Sequence, residues 1–551
     1  MRKRVFWLFA LLSLTVLYSA QAQVRPVLYR NARIWTGNTA QPYADAMLVR
    51  QGSIVAIGKE ADLRRKLPPK TTTTDLNRKL VVPGFTDSHT HFMSGGFQLA
   101  SVDLRDADTP KEFIRRLAAF AQTLPKGRWI TGGDWDHERW GGDLPDRAWI
   151  DSVTVGYPVF VNRLDGHMAL ANSEAMRLAG FTRNSAEIPG GTIVRRPDGE
   201  PTGLLKDEAM NPIFRAIPDP SSEESDEAFL RAQEFAARLG VTQVHDMGQW
   251  DHLETYRRAR QKGTLHMRIY SFVPLATWDR LARYVQKNGR GDQWLHWGGL
   301  KGFVDGSLGS TTAWFFEPYK DDPTTRGLIT TDTLSLAQWI TQADRARLQV
   351  VVHAIGDRAN QWLLNAYQEA VRQNGARDRR FRIEHAQHLS PELVQRMSRE
   401  GVIASMQPYH AIDDGRWAEK RIGNRIGHMY MFRDMLRENV HLAFGSDWTV
   451  APLNPLEGIY AAVTRRTLDD LHPGGWVPEQ KISVEDALRA YTAGCAYAGF
   501  SEQKSGQLKP GNWADFVVLS ENILEIEPKR IRDVKVIQTV IGGKTVFKMT
   551  P

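Results

Sequence analysis

Cysteine is nearly absent: Cys495 is the only one in 551 residues, so no disulfide can form within the chain. It sits in the small-residue stretch Tyr491-Thr-Ala-Gly-Cys-Ala-Tyr-Ala498 with no His or basic residue beside it, which reads as packing and not as a catalytic thiol. Internal repeats and low-complexity tracts are absent as well, which argues against solenoids and against disorder away from the ends. A large excess of one charge is lacking, since 71 Lys and Arg face 63 Asp and Glu. Basic clusters such as Arg257-Arg258-Ala259-Arg260 and Arg377-Asp378-Arg379-Arg380-Phe381-Arg382 are short and interrupted. Solvated helix faces or loops account for them, and no nucleic-acid partner is expected.

Long apolar runs are lacking too, apart from Val5 to Tyr18, which follows Arg2-Lys3-Arg4 and precedes the small-x-small stretch Ser19-Ala20-Gln21-Ala22. Residues 1–22 therefore read as a signal peptide cut after Ala22. The run falls short of the roughly 20 residues a bilayer span needs and is broken by Ser13 and Thr15, so no stable membrane anchor is expected after cleavage. Removal of the leader lowers the formal charge of +8 by three. A disulfide-free exported chain of this size fits a periplasmic or secreted location.

The remainder divides by texture. Residues 23–82 form short alternating runs with a hairpin signal at Gln51-Gly52, and 501–551 repeat the pattern in Asp515–Leu519 and Val534–Phe547, with Gly542-Gly543 as a second hairpin. Both ends together predict one small sheet domain. Between them, over 83–500, apolar β-branched runs alternate with helical segments: 80–85, 241–245, 267–273, 299–304, 349–353, 381–385, 402–406 and 441–444. This is an α/β pattern with a parallel sheet, and eight strands close a barrel. Ser221 and Glu224 stand in capping-box positions of a helix ending at Leu239, with Gly240 as its stop. Residues 100–220 are too long for one connection and carry their own signals, Trp129-Ile-Thr-Gly-Gly133 and Pro158-Val-Phe-Val-Asn-Arg163, so they predict an inserted α/β subdomain that shapes the pocket.

The chemistry-bearing residues track those runs. His89 and His91 follow the first, Lys301 lies on the fourth, His353 and His385 end the fifth and sixth, and Asp447 follows the eighth. Strand C-terminal ends are where barrel enzymes keep their sites. Each residue alone has a structural alternative, a hydrogen-bonded core histidine or a packed acid; their common topology favours ligands for two divalent metal ions. Lys301 is an ammonium on a buried strand, costly unless paired. It forms a salt bridge with Asp305 or Asp447, or its neutral amine takes up CO2 to give a carbamate that bridges metals about 3.5–4 Å apart, the preferred reading. A carbamate, ionised Asp447 and a hydroxide leave two divalent ions with a small net positive charge, suited to an oxyanion. Imidazole and oxygen donors without thiolate suit zinc first, then manganese, iron or cobalt.

The chain resembles binuclear members of the amidohydrolase superfamily, specifically amidohydrolase family 3, the YtcJ-like metal-dependent hydrolases. The resemblance rests on Pro83-Gly-Phe-Thr-Asp-Ser-His-Thr-His91, Asp165-Gly-His-Met-Ala-Leu-Ala-Asn172, Gly240-Val-Thr-Gln-Val-His-Asp-Met247, Lys301-Gly-Phe-Val-Asp-Gly-Ser-Leu-Gly-Ser310, His353-Ala-Ile-Gly-Asp357, Glu384-His-Ala-Gln387 and Gly445-Ser-Asp447. It implies a distorted TIM barrel, a β-sandwich from both termini, and metal-assisted hydrolysis of a C–N bond in a small amide-type substrate. It also implies His89, His91, Lys301, His353, His385 and Asp447 as ligands. Thr311 departs from the pattern, standing where many such relatives carry Arg. Candidate substrate contacts are His167, inside a family motif, Asp305 and His410 past the fourth and seventh runs, and Trp135 as a wall.

The mechanism expected is attack by a metal-bridging hydroxide, with Asp447 taking its proton and passing it to the leaving amine. Ester or lactone hydrolysis at the same site, and a non-catalytic periplasmic binding or regulatory protein, are the alternatives. A homo-oligomer is compatible with the sequence.

Overall fold

The structure, a computed structural model, describes residues 25–163, 168–188, 191–309 and 311–550. The predicted leader, and His167, lie outside the described residues. Eight strands form one parallel sheet in sequential order: β1 Phe85–Thr90, β2 Val241–Met247, β3 Arg268–Pro274, β4 Leu295–Phe303, β5 Gln349–Ala354, β6 Arg382–His385, β7 Ile403–Met406 and β8 Leu442–Phe444. The last seam closes beyond the end of β8. There the amide of Asp447 donates to His89 O and the amide of His91 donates to Trp448 O, both at 2.7 Å. The barrel is thus stitched shut by residues that flank its candidate ligands.

The sequence reading misplaces two strand boundaries. The run 80–85 belongs to two elements, because Leu80–Pro83 pairs with Phe516–Leu519 and with Arg33–Trp35 in the terminal domain, and only Phe85 begins the barrel. Gly84 is the crossing point: a Cβ there would lie 2.3 Å from the Thr242 side chain. His89 therefore lies within β1 and not after it. The fourth strand begins at Leu295, four residues before the expected start, and Lys301 sits two residues before its end.

The terminal domain is a β-sandwich. One sheet orders Ser53–Gly58, Ala46–Arg50, Val27–Arg30 and Thr72–Asp75; the other orders Lys544–Lys548, Val536–Ile541, Phe516–Leu519, Leu80–Pro83, Arg33–Trp35 and Tyr43–Ala44, joining both ends of the chain. Met47, Val49, Val81, Phe516 and Val540 fill the space between the sheets. Both expected hairpins form, with Gln51, Gly52, Gly542 and Gly543 all at positive φ, as two-residue turns that follow the strand twist require. The insertion carries its own six-stranded mixed sheet and two buried clusters, one around Phe113, Trp135 and Val161 and one around Phe160, Met176 and Leu205. The helix Ser222–Arg238 has the expected reciprocal capping box between Ser221 and Glu224 and delivers the chain to β2.

Candidate metal centre

Inside β1, His89 points into the barrel and is wholly buried. Its Nδ1 donates to Oε2 of Glu384 at 2.5 Å, so the lone pair resides on Nε2. That Nε2 lies 3.1 Å from Lys301 Nζ and 3.5 Å from Asp447 Oδ1. His91, half-buried at the rim, brings Nε2 to 3.2 Å from the same Asp447 oxygen. His353 Nε2 donates to Gly306 O at 2.9 Å, which leaves Nδ1 as its acceptor nitrogen.

His385 ends β6 at φ +73°, followed by Ala386 at +44°, and Asp447 sits at +59°. Left-handed backbone at non-glycine residues costs on the order of 1–3 kcal/mol each and gathers at functional sites. Here it breaks the strand alternation. Glu384 and His385 both reach His89, the latter with ring centroids 5.0 Å apart, although adjacent strand residues normally face opposite ways. The His385 ring lies 4.4 Å from that of His353. Nitrogens of His89 and His385 and an oxygen of Asp447 come within 4.8 Å of one another.

The electrostatics favour lone pairs over protons. Burial, reinforced by the charge of Lys301, lowers His89 to about 4 and His353 to about 3. Burial together with His353 holds His385 well below its usual value. Burial pulls the other way on Asp447, but His89, His91, His385 and His410 together outweigh it and keep the carboxylate ionised. Burial lowers Lys301 to about 8 against the pull of Glu384 and Asp447, which brings the neutral amine closer to neutral pH than in an exposed lysine. Among the described residues Lys301 forms no ion pair, so neither salt bridge considered from the sequence is made. His385 Nδ1, His410 Nε2 and Asp447 Oδ1 are buried without a well-formed hydrogen bond. Buried polar atoms are ordinarily satisfied, and these convergent nitrogen and oxygen donors fit a divalent cation.

A cavity of about 450 Å3 opens over the site, bordered by His91, Lys301, His353, His385, His410 and Asp447. Two of the other proposed contacts do not reach it. Asp305 is buried with its oxygens accepting from the amides of Trp314, Ile355 and Gly356 at 2.8 to 3.0 Å; it ties the loop after β4 to the end of β5. Trp135 is wholly buried in the insertion, its Nε1 donating to Val161 O, so it is core and not wall. His410 does line the cavity, its ring parallel to that of His385 at 6.3 Å. Near Thr311, a cation arrives from another element: Arg421 donates to Thr311 Oγ1 at 3.0 Å and Gly309 O at 3.1 Å, and pairs with Asp321.

Sequence reasoning missed the buried ion network beneath the site. Arg382 makes a two-pronged pair with Glu384, donates to Ser88 O and Ser405 Oγ, and meets His245 Nδ1 at 3.0 Å. The signal was present: two charges at period two on an otherwise buried strand point into the barrel together.

Comparison with known proteins agrees with this geometry. The model of the Amidohydrolase family matches residues 72–547. Protein LONG AFTER FAR-RED 3 of Arabidopsis thaliana is 40% identical over 95% of this chain and 92% of its own length. N-substituted formamide deformylase of Arthrobacter pascens is 27% identical over 96% of this chain and 99% of its own. The crystal structure of an uncharacterized metal-dependent hydrolase from Pyrococcus horikoshii OT3 superimposes with a TM-score of 0.78 at 28% identity, covering 92% of this chain and 99% of that one. A match across most of the chain, on a barrel whose strand ends gather unsatisfied imidazole and carboxylate donors, makes this protein a metal-dependent hydrolase of the amidohydrolase family.

Proposed function

We propose that the protein hydrolyses a C–N bond of a small, non-peptide amide at two divalent cations, zinc first among them, held by His89, His91, Lys301, His353, His385 and Asp447. The observation that carries the reading is the convergence within 4.8 Å of lone pairs from three segments far apart in sequence, β1, β6 and the turn after β8, with the Lys301 amine 3.1 Å from His89. Bound there, the cations would supply Lewis acidity to a substrate carbonyl and a water acidified towards roughly pKa 7. The C–N choice draws support from the relative named as a formamide deformylase.

The chain's own residues have distinct parts. The neutral amine of Lys301 adds through its nitrogen lone pair to the carbon of CO2; one C=O π pair moves to oxygen and the amine proton passes to solvent, leaving an anionic carbamate as the ligand. Glu384 holds the tautomer of His89 that presents Nε2. Asp447, kept ionised, accepts the proton of the attacking water and returns it to the departing nitrogen, which then leaves as a neutral amine. The proposal includes export, resting on the leader-like pattern of residues 1–22.

A panel of amides, formamides, lactams and esters assayed on metal-reconstituted protein tests the reading. Turnover of amides or formamides is expected; activity confined to esters or lactones would overturn the C–N assignment, and no bound metal would favour a binding or regulatory role.

A further inference from the structure

Lys301 has cavities on both sides. The larger, described above, lies towards β5 to β8 and presents Gln387, His410, Asp413 and Asp414. A second, of about 230 Å3, lies over the ends of β2, β3 and β4. His91, Lys301 and Phe303 border both and form the wall between them. The two chambers therefore meet at candidate metal ligands.

Both linings are largely apolar, and they differ in charge: the larger mixes Asp413 and Asp414 with Leu308, Ile355, Trp417 and Val450, whereas the smaller carries no carboxylate. Met247, Pro274, Leu275, Leu336 and Trp339 enclose the smaller chamber; beyond the shared wall, its polar side chains are the neutral Gln249 and Thr331. Met247, Leu275 and Leu336 are buried members of the core, so these walls are anchored by packing and do not depend on a ligand to form. Water in such a chamber finds few partners, and an apolar group that displaces it gains the transfer free energy of its surface. The smaller chamber, closed by core side chains and free of carboxylates, suits an uncharged apolar group.

We propose that the smaller chamber is the subsite for an apolar substituent of the substrate, a short alkyl chain or a single aryl ring, placed beside the bond that is cleaved. The inference rests on the hydrolytic reading of the metal centre and narrows it to amides that carry such a group. Taking about 30 Å3 as the share of a water-sized unit, the chamber holds on the order of seven heavy atoms.

The test uses zinc-loaded full-length protein and two series of amides, one lengthening the acyl group on a fixed amine and one lengthening the amine substituent on a fixed acyl group. In one series kcat/KM is expected to rise roughly fourfold per methylene until the chamber is full, and that series identifies which half of the substrate enters. Ala276 is exposed at the edge of the chamber, so Ala276→Trp narrows it without displacing the core and is expected to flatten the dependence. Trp339→Ala, which widens it, is expected to move the plateau to longer chains. Binding of straight-chain carboxylates and amines to the same proteins, followed by calorimetry, gives a readout that needs no turnover. Affinity that rises with chain length in the parent but not in Ala276→Trp, with no amide cleaved, would overturn the hydrolytic reading and keep the subsite. Rates and affinities indifferent to chain length, or equally steep in Ala276→Trp, would overturn the subsite.

Discussion

Glu384 and His89, 295 residues apart in sequence, share a 2.5 Å hydrogen bond with neither side chain exposed to solvent. The same carboxylate is gripped by Arg382, so the imidazole that faces the candidate metals is oriented by an ion pair deep in the barrel. Glu384→Gln keeps an acceptor but leaves Arg382 uncompensated. Loss of a group that orients a ligand typically costs 10- to 100-fold in metal affinity, and breaking a buried pair costs about 3–5 kcal/mol. Zinc affinity and the urea midpoint are both expected to fall; an unchanged zinc Kd would remove Glu384 from this role.

Asp447→Asn separates proton transfer from metal binding. Turnover is expected to drop by about 10²- to 10⁴-fold, with a much smaller loss of metal content per chain. Parent-level turnover by the Asn variant would show that the proton moves elsewhere.

Carbamate formation on Lys301 predicts a dependence on dissolved CO2. Metal-free protein reloaded in bicarbonate-depleted buffer is expected to take up fewer ions than protein reloaded with bicarbonate, and ¹³C-bicarbonate is expected to give a protein-bound carbonyl signal that Lys301→Ala lacks. Equal metal uptake in both buffers, with no such signal, would leave Lys301 an amine.

Gly445 allows β8 and the chain after it to press against β1. A Cβ there would lie 2.6 Å from the His89 amide nitrogen and 2.8 Å from Asp87 Oδ1. Gly445→Ala is expected to destabilise by about 1–3 kcal/mol and to reduce metal content, because relief of the clash moves His89. A variant with the parent's melting temperature and metal content would contradict this packing.

Asp414 contributes a pH dependence of stability. Burial raises it to about 7 against the hydrogen bonds from Tyr430 and Gln387. The folded chain therefore keeps a proton that an unfolded Asp gives up near pH 4, and between those values the folded state binds the extra proton. Stability consequently falls as pH rises through that window. Asp414→Asn retains an acceptor for both donors and has no proton to lose, so its melting temperature is expected to gain on the parent progressively from pH 4 to 7 and then level. A constant difference across that range would show that Asp414 titrates normally.

Much of the barrel was legible because each strand announces itself within half a dozen residues, as β-branched runs that must be buried on both faces. The capping box at Ser221 and the hairpins at Gly52 and Gly543 are equally local. The split of the run at Gly84 was not, since Leu80–Pro83 and Phe85–Thr90 are equally apolar and only their partners, 516–519 and 241–247, tell them apart. Asp305 and Trp135 look like pocket residues from their place in the chain. Three backbone amides claim the first and a core the second, and neither demand is visible until the loops fold.

By itself the sequence determined the kinds of donors and their placement at strand ends, because hydrophobic periodicity and turn chemistry act over a few residues. Tertiary structure alone decided which nitrogen of His89 and of His353 carries the lone pair, that backbone amides claim Asp305, and that Lys301 stands between two chambers. Those outcomes depend on distances between residues hundreds of positions apart, and barrel closure sets such distances.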